Sequence, residues 1–121
     1  MIVKTDRESA REGLTRFIGF KREGNPYVST KSLRRSMVEY GFSPEDLGTT
    51  EQELKTFHVQ DCRWQIEQHL YNWRITNSID WPEKCFAEAV LEAMREGELQ
   101  PEEFGITPGE LKDIRKTAGL D

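Results

Sequence analysis

The longest unbroken apolar pattern runs from Thr49 to Asn77, about seven helical turns without Gly or Pro. At 100° per residue, Leu54, Phe57, Trp64, Tyr71 and Ile75 fall on one side. Val59, Cys62, Ile66, Leu70 and Trp73 fall on the opposite side. A helix with two opposed apolar stripes needs a cover for each, from its own chain or from a partner. Thr50, followed three residues later by Glu53, is a capping-box signature for its start, and the helix is predicted over about residues 50–76.

Shorter patterns flank it. Val3, Ala10, Leu14, Phe17 and Ile18 predict a first helix from about Asp6 to Ile18, with Gly19 near its end. Gly24-Asn25-Pro26 is a turn signal. Ser29 or Thr30 then caps a second helix with the stripe Leu33, Met37 and Tyr40, ended by Gly41 with Phe42 closing an apolar contact. Ser43-Pro44-Glu45-Asp46 opens one helical turn that Gly48 stops. After the long helix, Asp80 is the expected cap of a fourth helix with Phe86, Ala89, Val90, Ala93 and Met94 inward and Glu88, Glu92, Arg95 and Glu96 outward, ended by Gly97. Pro101–Phe104 reads as a short turn. Thr107-Pro108-Gly109-Glu110 is a second capping box, opening a last helix with Leu111, Ile114 and Ala118 on one face. Nothing alternates at strand-like length. The expectation is an all-α, single-domain bundle over residues 1–121, about five helices around the long one.

Composition adds limits. A chain of 121 residues suits one core, burying roughly two-thirds of the unfolded surface. Apolar runs are too short for a transmembrane helix, and the first residues lack the apolar core of a signal peptide, so no membrane partner and a cytoplasmic location are expected. Two cysteines, Cys62 and Cys85, make no disulfide framework and are expected as thiols.

Charge changes the picture more. Residues 1–40 carry nine basic and five acidic side chains, +4; residues 41–121 carry eight basic and seventeen acidic, −9. Within the basic part, Arg16, Lys21, Arg22, Lys31, Arg34 and Arg35 surround a turn bearing Phe20 and Tyr27. Cations interleaved with aromatics hold phosphates and stack on bases. They equally suit an acidic protein surface, or the chain's own acidic part. The candidate partner-binding set is therefore Arg16, Lys21, Arg22, Tyr27, Lys31, Arg34 and Arg35. Trp64, Trp73, Trp81, Phe57 and Tyr71 gather around the long helix, where a homodimer or a docked partner would complete the burial of both stripes.

Chemistry is sparse. His58 and Cys62 stand at i, i+4 and could offer two ligands, with Cys85 a third, but no CxxC or HExxH spacing accompanies them. His69 lies more than about 10 Å along the axis from Cys62 and cannot share its ion. Neither an oxyanion hole nor an orienting carboxylate has a recognisable pattern near Cys62, and no GxGxxG or GxxxxGK[ST] is present. No metal, cofactor or catalytic residue is expected.

One local resemblance stands out. Ile106 to Leu120, with its capped Thr107-Pro108, Glu110, Leu111, Ile114, Arg115 and Gly119-Leu120, resembles the first helix of phage-repressor-type helix-turn-helix domains. It covers about fifteen residues and includes no recognition helix, so it supplies no DNA-contacting residue. The small size suits a phage or mobile-element protein. The function expected from the residues is a non-enzymatic adaptor, inhibitor or regulator that binds a protein through the basic segment. A nucleic-acid-binding regulator using the same segment is the alternative, and a Cys62-dependent enzyme the distant third.

Overall fold

The computed structural model describes residues 6–120. The fold is all-α. The described residues form five helices in order: α1 (Asp6–Arg22), α2 (Thr30–Tyr40), α3 (Glu51–Ser78), α4 (Lys84–Gly97) and α5 (Pro108–Thr117). Single turns of 3-10 helix at Glu45–Leu47 and Pro101–Phe104 fill two of the connections, and the described residues contain no strand. Among the described residues, no helix is long and apolar enough to cross a membrane. The chain divides into two compact units, Met1–Asp61 and Cys62–Asp121, and the 28-residue α3 contributes a segment to each.

In the first unit, Leu14 and Ile18 of α1, Leu33 and Met37 of α2, Phe42, Leu47, and Leu54 and Phe57 of α3 form one buried cluster, with Ala10 packed against it. Local chemistry sets the borders of α2. Ser29 caps it, its hydroxyl accepting from the Ser32 amide, and Gly41 ends it at φ 71°, where an L side chain would be strained. The Phe42 amide then donates to the Met37 carbonyl at 2.8 Å and the ring goes into the core. Arg7 lies over the Phe42 ring, 4.2 Å from its centroid, and donates to the Tyr40 and Gly41 carbonyls, which α2 leaves without helical partners. The first helix runs a turn beyond the Ile18 expected from periodicity, because Lys21 faces inward and is anchored there. Val3, placed on the stripe of that helix by periodicity, lies outside the described residues.

In the second unit the buried side chains are Cys62, Ile66, Leu70 and Trp73 of α3, Ala87, Val90, Ala93 and Met94 of α4, Leu99, Ile106, Ile114 of α5 and Ala118. Trp73 is fully enclosed, and its indole N–H donates to Thr117 Oγ1 at 3.3 Å. The predicted cap of α4 is corrected. Asp80 sits in the turn that ends α3, at φ 61°, and Glu83 is the N-cap residue. Thr76 Oγ1 of α3 accepts the Glu83 amide, so the N-cap residue's own N–H is satisfied from the preceding helix. Glu96, expected on the outer face of α4, is half-buried.

Candidate interaction site

The basic segment is where the structure departs most from a simple patch. Lys21 is buried, and its ammonium pairs with Asp61 of α3 while also donating to the Asn25 carbonyl. Asp61 accepts two further bonds, from the Thr30 amide at 2.9 Å and the Thr30 hydroxyl at 2.6 Å. One carboxylate thus ties the end of α1, the start of α2 and the middle of α3.

Arg22 makes a two-pronged pair with Glu53, at 2.7 and 3.1 Å, and reaches the Gly48 carbonyl at 2.8 Å. That pair holds the Glu53 carboxyl below the usual range, helped by the Thr49 hydroxyl, and raises the Arg22 pKa. Arg34 pairs with Glu51 at 2.6 Å, which likewise lowers the Glu51 pKa. Three of the seven candidate residues, Lys21, Arg22 and Arg34, are therefore engaged by acids of α3.

The charge balance follows. Residues 41–61 hold five acids (Glu45, Asp46, Glu51, Glu53, Asp61) and one base (Lys55), a net −4 that cancels the +4 of residues 1–40. The first unit carries no net charge, and the whole −5 resides in residues 62–121. Within the first unit, Lys21 and Arg22 of α1 and Arg34 of α2 meet acids in the first half of α3.

The other candidates occupy outer surfaces. Arg16 is exposed on the side of α1 away from Leu14. Lys31 and Arg35 are exposed one turn apart on α2. Tyr27 just before that helix and Val38 two turns along it are each 83% exposed. Lys31, Arg35 and Val38 share one outer side of α2, and Tyr27 is exposed in the turn that leads into the helix. Val38 was not among the expected site residues; its signal was its position opposite the Leu33–Met37 stripe, where an aliphatic side chain serves no core.

In the second unit, cations are similarly engaged. Arg63 pairs with Glu103 at 2.6 Å beside the Phe104 ring, and Arg74 grips Glu110 at 2.6 and 2.9 Å. Cys62 is buried and Cys85 exposed, and no disulfide joins them. His58, one turn before Cys62 on α3, is half-buried. His69 is half-buried too, with Nε2 2.8 Å from Gln65 Oε1 and its ring beside Phe86. An amide oxygen only accepts, so Nε2 donates to it, while Nδ1 is buried without a hydrogen-bond partner among the described residues.

The two stripes of α3 fare differently in this unit. Cys62, Ile66, Leu70 and Trp73 are covered, whereas Tyr71 is 67% and Ile75 45% exposed. Ile79 and Trp81, just past the helix, are 70% and 73% exposed. The side that Leu54 and Phe57 bury in the first unit is bare at its C-terminal end.

Fold and surfaces together define an all-α protein with internally neutralised basic helices and two exposed mixed strips. No family model, no curated protein and no solved structure matches the chain.

Proposed function

We propose that this protein is a non-enzymatic adaptor, inhibitor or regulator that acts by protein–protein contact, using the exposed strip of α2. The observation that carries this is Tyr27 and Val38, both 83% exposed, bracketing Lys31 and Arg35. Aromatic anchors and Arg beside aliphatic surface are the composition of protein interfaces. The strip runs about 10 Å from Lys31 to Val38, enough for one partner helix or loop. Lys31 and Arg35 favour an acidic partner surface.

Nucleic-acid binding through Arg16, Lys31, Arg35 and a stacking Tyr27 is the second reading. It is weakened by the neutrality of the first unit and by Val38, which offers a base nothing to stack on.

Pull-down from the native host with wild-type protein, Lys31→Glu plus Arg35→Glu, and Tyr27→Ala plus Val38→Ser tests the assignment. A partner captured by the wild type and lost from both variants supports it, and capture unchanged in both refutes it. A mobility assay across salt separates the two readings, because phosphate contacts impose a steep loss of affinity with salt.

A further inference from the structure

We infer that the bare end of α3, with Tyr71, Ile75, Ile79 and Trp81, is a second docking face, and that its occupant is a basic amphipathic helix of a partner protein. Tyr71 and Ile75 stand at i, i+4 on one side of α3, and Ile79 and Trp81, in the turn just past the helix end, are exposed as well. Exposed apolar side chains standing singly are ordinary; four within eleven residues, including a largely exposed Trp, are the kind of cluster that marks an interaction site.

Charge selects the occupant. Glu67 lies one turn before Tyr71 on the same side, and Asp80 lies between Ile79 and Trp81; both are exposed, and among the described residues neither meets a cation. The nearest arginine on the helix, Arg74, is already bound to Glu110 and the Gly105 carbonyl. An apolar strip with an acidic group at each end, in a unit of net −5, complements a helix with apolar residues at i, i+4 flanked by Lys or Arg. A second copy of this chain is a poorer occupant, because pairing two such strips face to face sets acidic rim against acidic rim.

The test is a display selection of random peptides of about sixteen residues, some four helical turns, against the intact protein. Enriched peptides are resynthesised and their site is read from amide and indole shifts at residues 71–81. Enrichment of basic amphipathic sequences is expected. Their affinity should fall on the order of tenfold or more in Tyr71→Ser plus Ile75→Ser. Glu67→Gln plus Asp80→Asn should flatten the salt dependence while leaving the circular dichroism unchanged; Asn tolerates the left-handed backbone at residue 80. The inference is overturned if no peptide is enriched, if enriched peptides are acidic or bind elsewhere, or if light scattering shows a dimer that Tyr71→Ser plus Ile75→Ser dissolves.

Discussion

Lys21 of α1 and Asp61 of α3 form an ion pair whose two ends are unequally protected. The lysine side chain is 2% exposed and the aspartate 18%, and the aspartate also accepts both Thr30 bonds. The inequality predicts an asymmetry between the two deletions. Asp61→Asn can still accept from Thr30 but strands a buried ammonium, and should cost about 3 kcal/mol or more. Lys21→Met leaves a partly hydrated carboxylate with two hydrogen bonds and fills the lysine channel with methylenes, so about 1–2 kcal/mol is expected. The double variant should recover part of the Asp61→Asn loss. Urea unfolding of the three variants measures this. A Lys21→Met cost equal to or above that of Asp61→Asn would show that the node is not organised as described.

Gly97 ends α4, but not by supplying a left-handed residue. The left-handed position is taken by Glu98 at φ 52°, and Gly97 is needed for space. A Cβ there would lie 2.8 Å from Cys62 Cβ and 2.9 Å from Leu99 Cδ1. Leu99 can swing aside, but the Cys62 Cβ is fixed to the backbone of α3. Gly97→Ala should therefore destabilise by about 1–2 kcal/mol, overpacking outweighing the gain in helix propensity. Cys62→Ala should not rescue it, since alanine keeps the offending carbon. Chemical denaturation of the single and double variants decides the matter, and full rescue would place the clash on the sulfur instead.

The same residue shows what could be read from the sequence. Gly97 was legible as the stop of a helix, and Gly41, Gly48, Ser29 and Thr107 sit at the termini their chemistry predicts. The two capping boxes are only half made. Thr50 and Thr107 accept the amides of Glu53 and Glu110, but each glutamate spends its carboxylate on an arginine from elsewhere, Arg22 and Arg74. Local patterns report what a residue can do within its own turn. They are silent on a stronger partner brought in by the fold. For that reason the basic segment stayed open to a partner or to the chain's own acids, whereas Lys21, Arg22 and Arg34 each meet an acid of α3, 40, 31 and 17 residues away. The bare end of α3 was foreshadowed by its second apolar stripe; which turns of that stripe stay uncovered is decided by packing alone.

Those ion pairs and caps set the response to acid. Glu51 and Glu53, paired with Arg34 and Arg22, titrate below the ordinary value of 4.5, as does Glu103, held by the Gln100 amide and Arg63. Asp46, which accepts the Ser43 amide, titrates below 3.8. As pH falls, the unfolded chain takes up protons first, so these groups contribute stability above their ordinary values and lose it as pH drops through the folded ones. Stability should hold from neutrality to about pH 5 and then decline steadily. Glu53→Gln should start lower and show a shallower decline in that window, read from urea midpoints at each pH. An acid limb identical to the wild type would mean that the Arg22–Glu53 pair does not persist in solution.

The two cysteines should respond differently to a thiol reagent. Cys85, the second residue of α4, is exposed, while Cys62 is enclosed against Gly97 and the core of the second unit. A buried thiol reacts only when the structure opens. One thiol should therefore react rapidly in the native protein, map to Cys85 by mass spectrometry and disappear in Cys85→Ser. The other should react at a rate governed by opening, and Gly97→Ala should accelerate it in proportion to the stability it removes. Rapid native labelling of Cys62 would contradict its burial and reopen the reading of that residue as a nucleophile. A slow phase insensitive to Gly97→Ala would separate the opening at Cys62 from the close approach of α3 and α4 at that point.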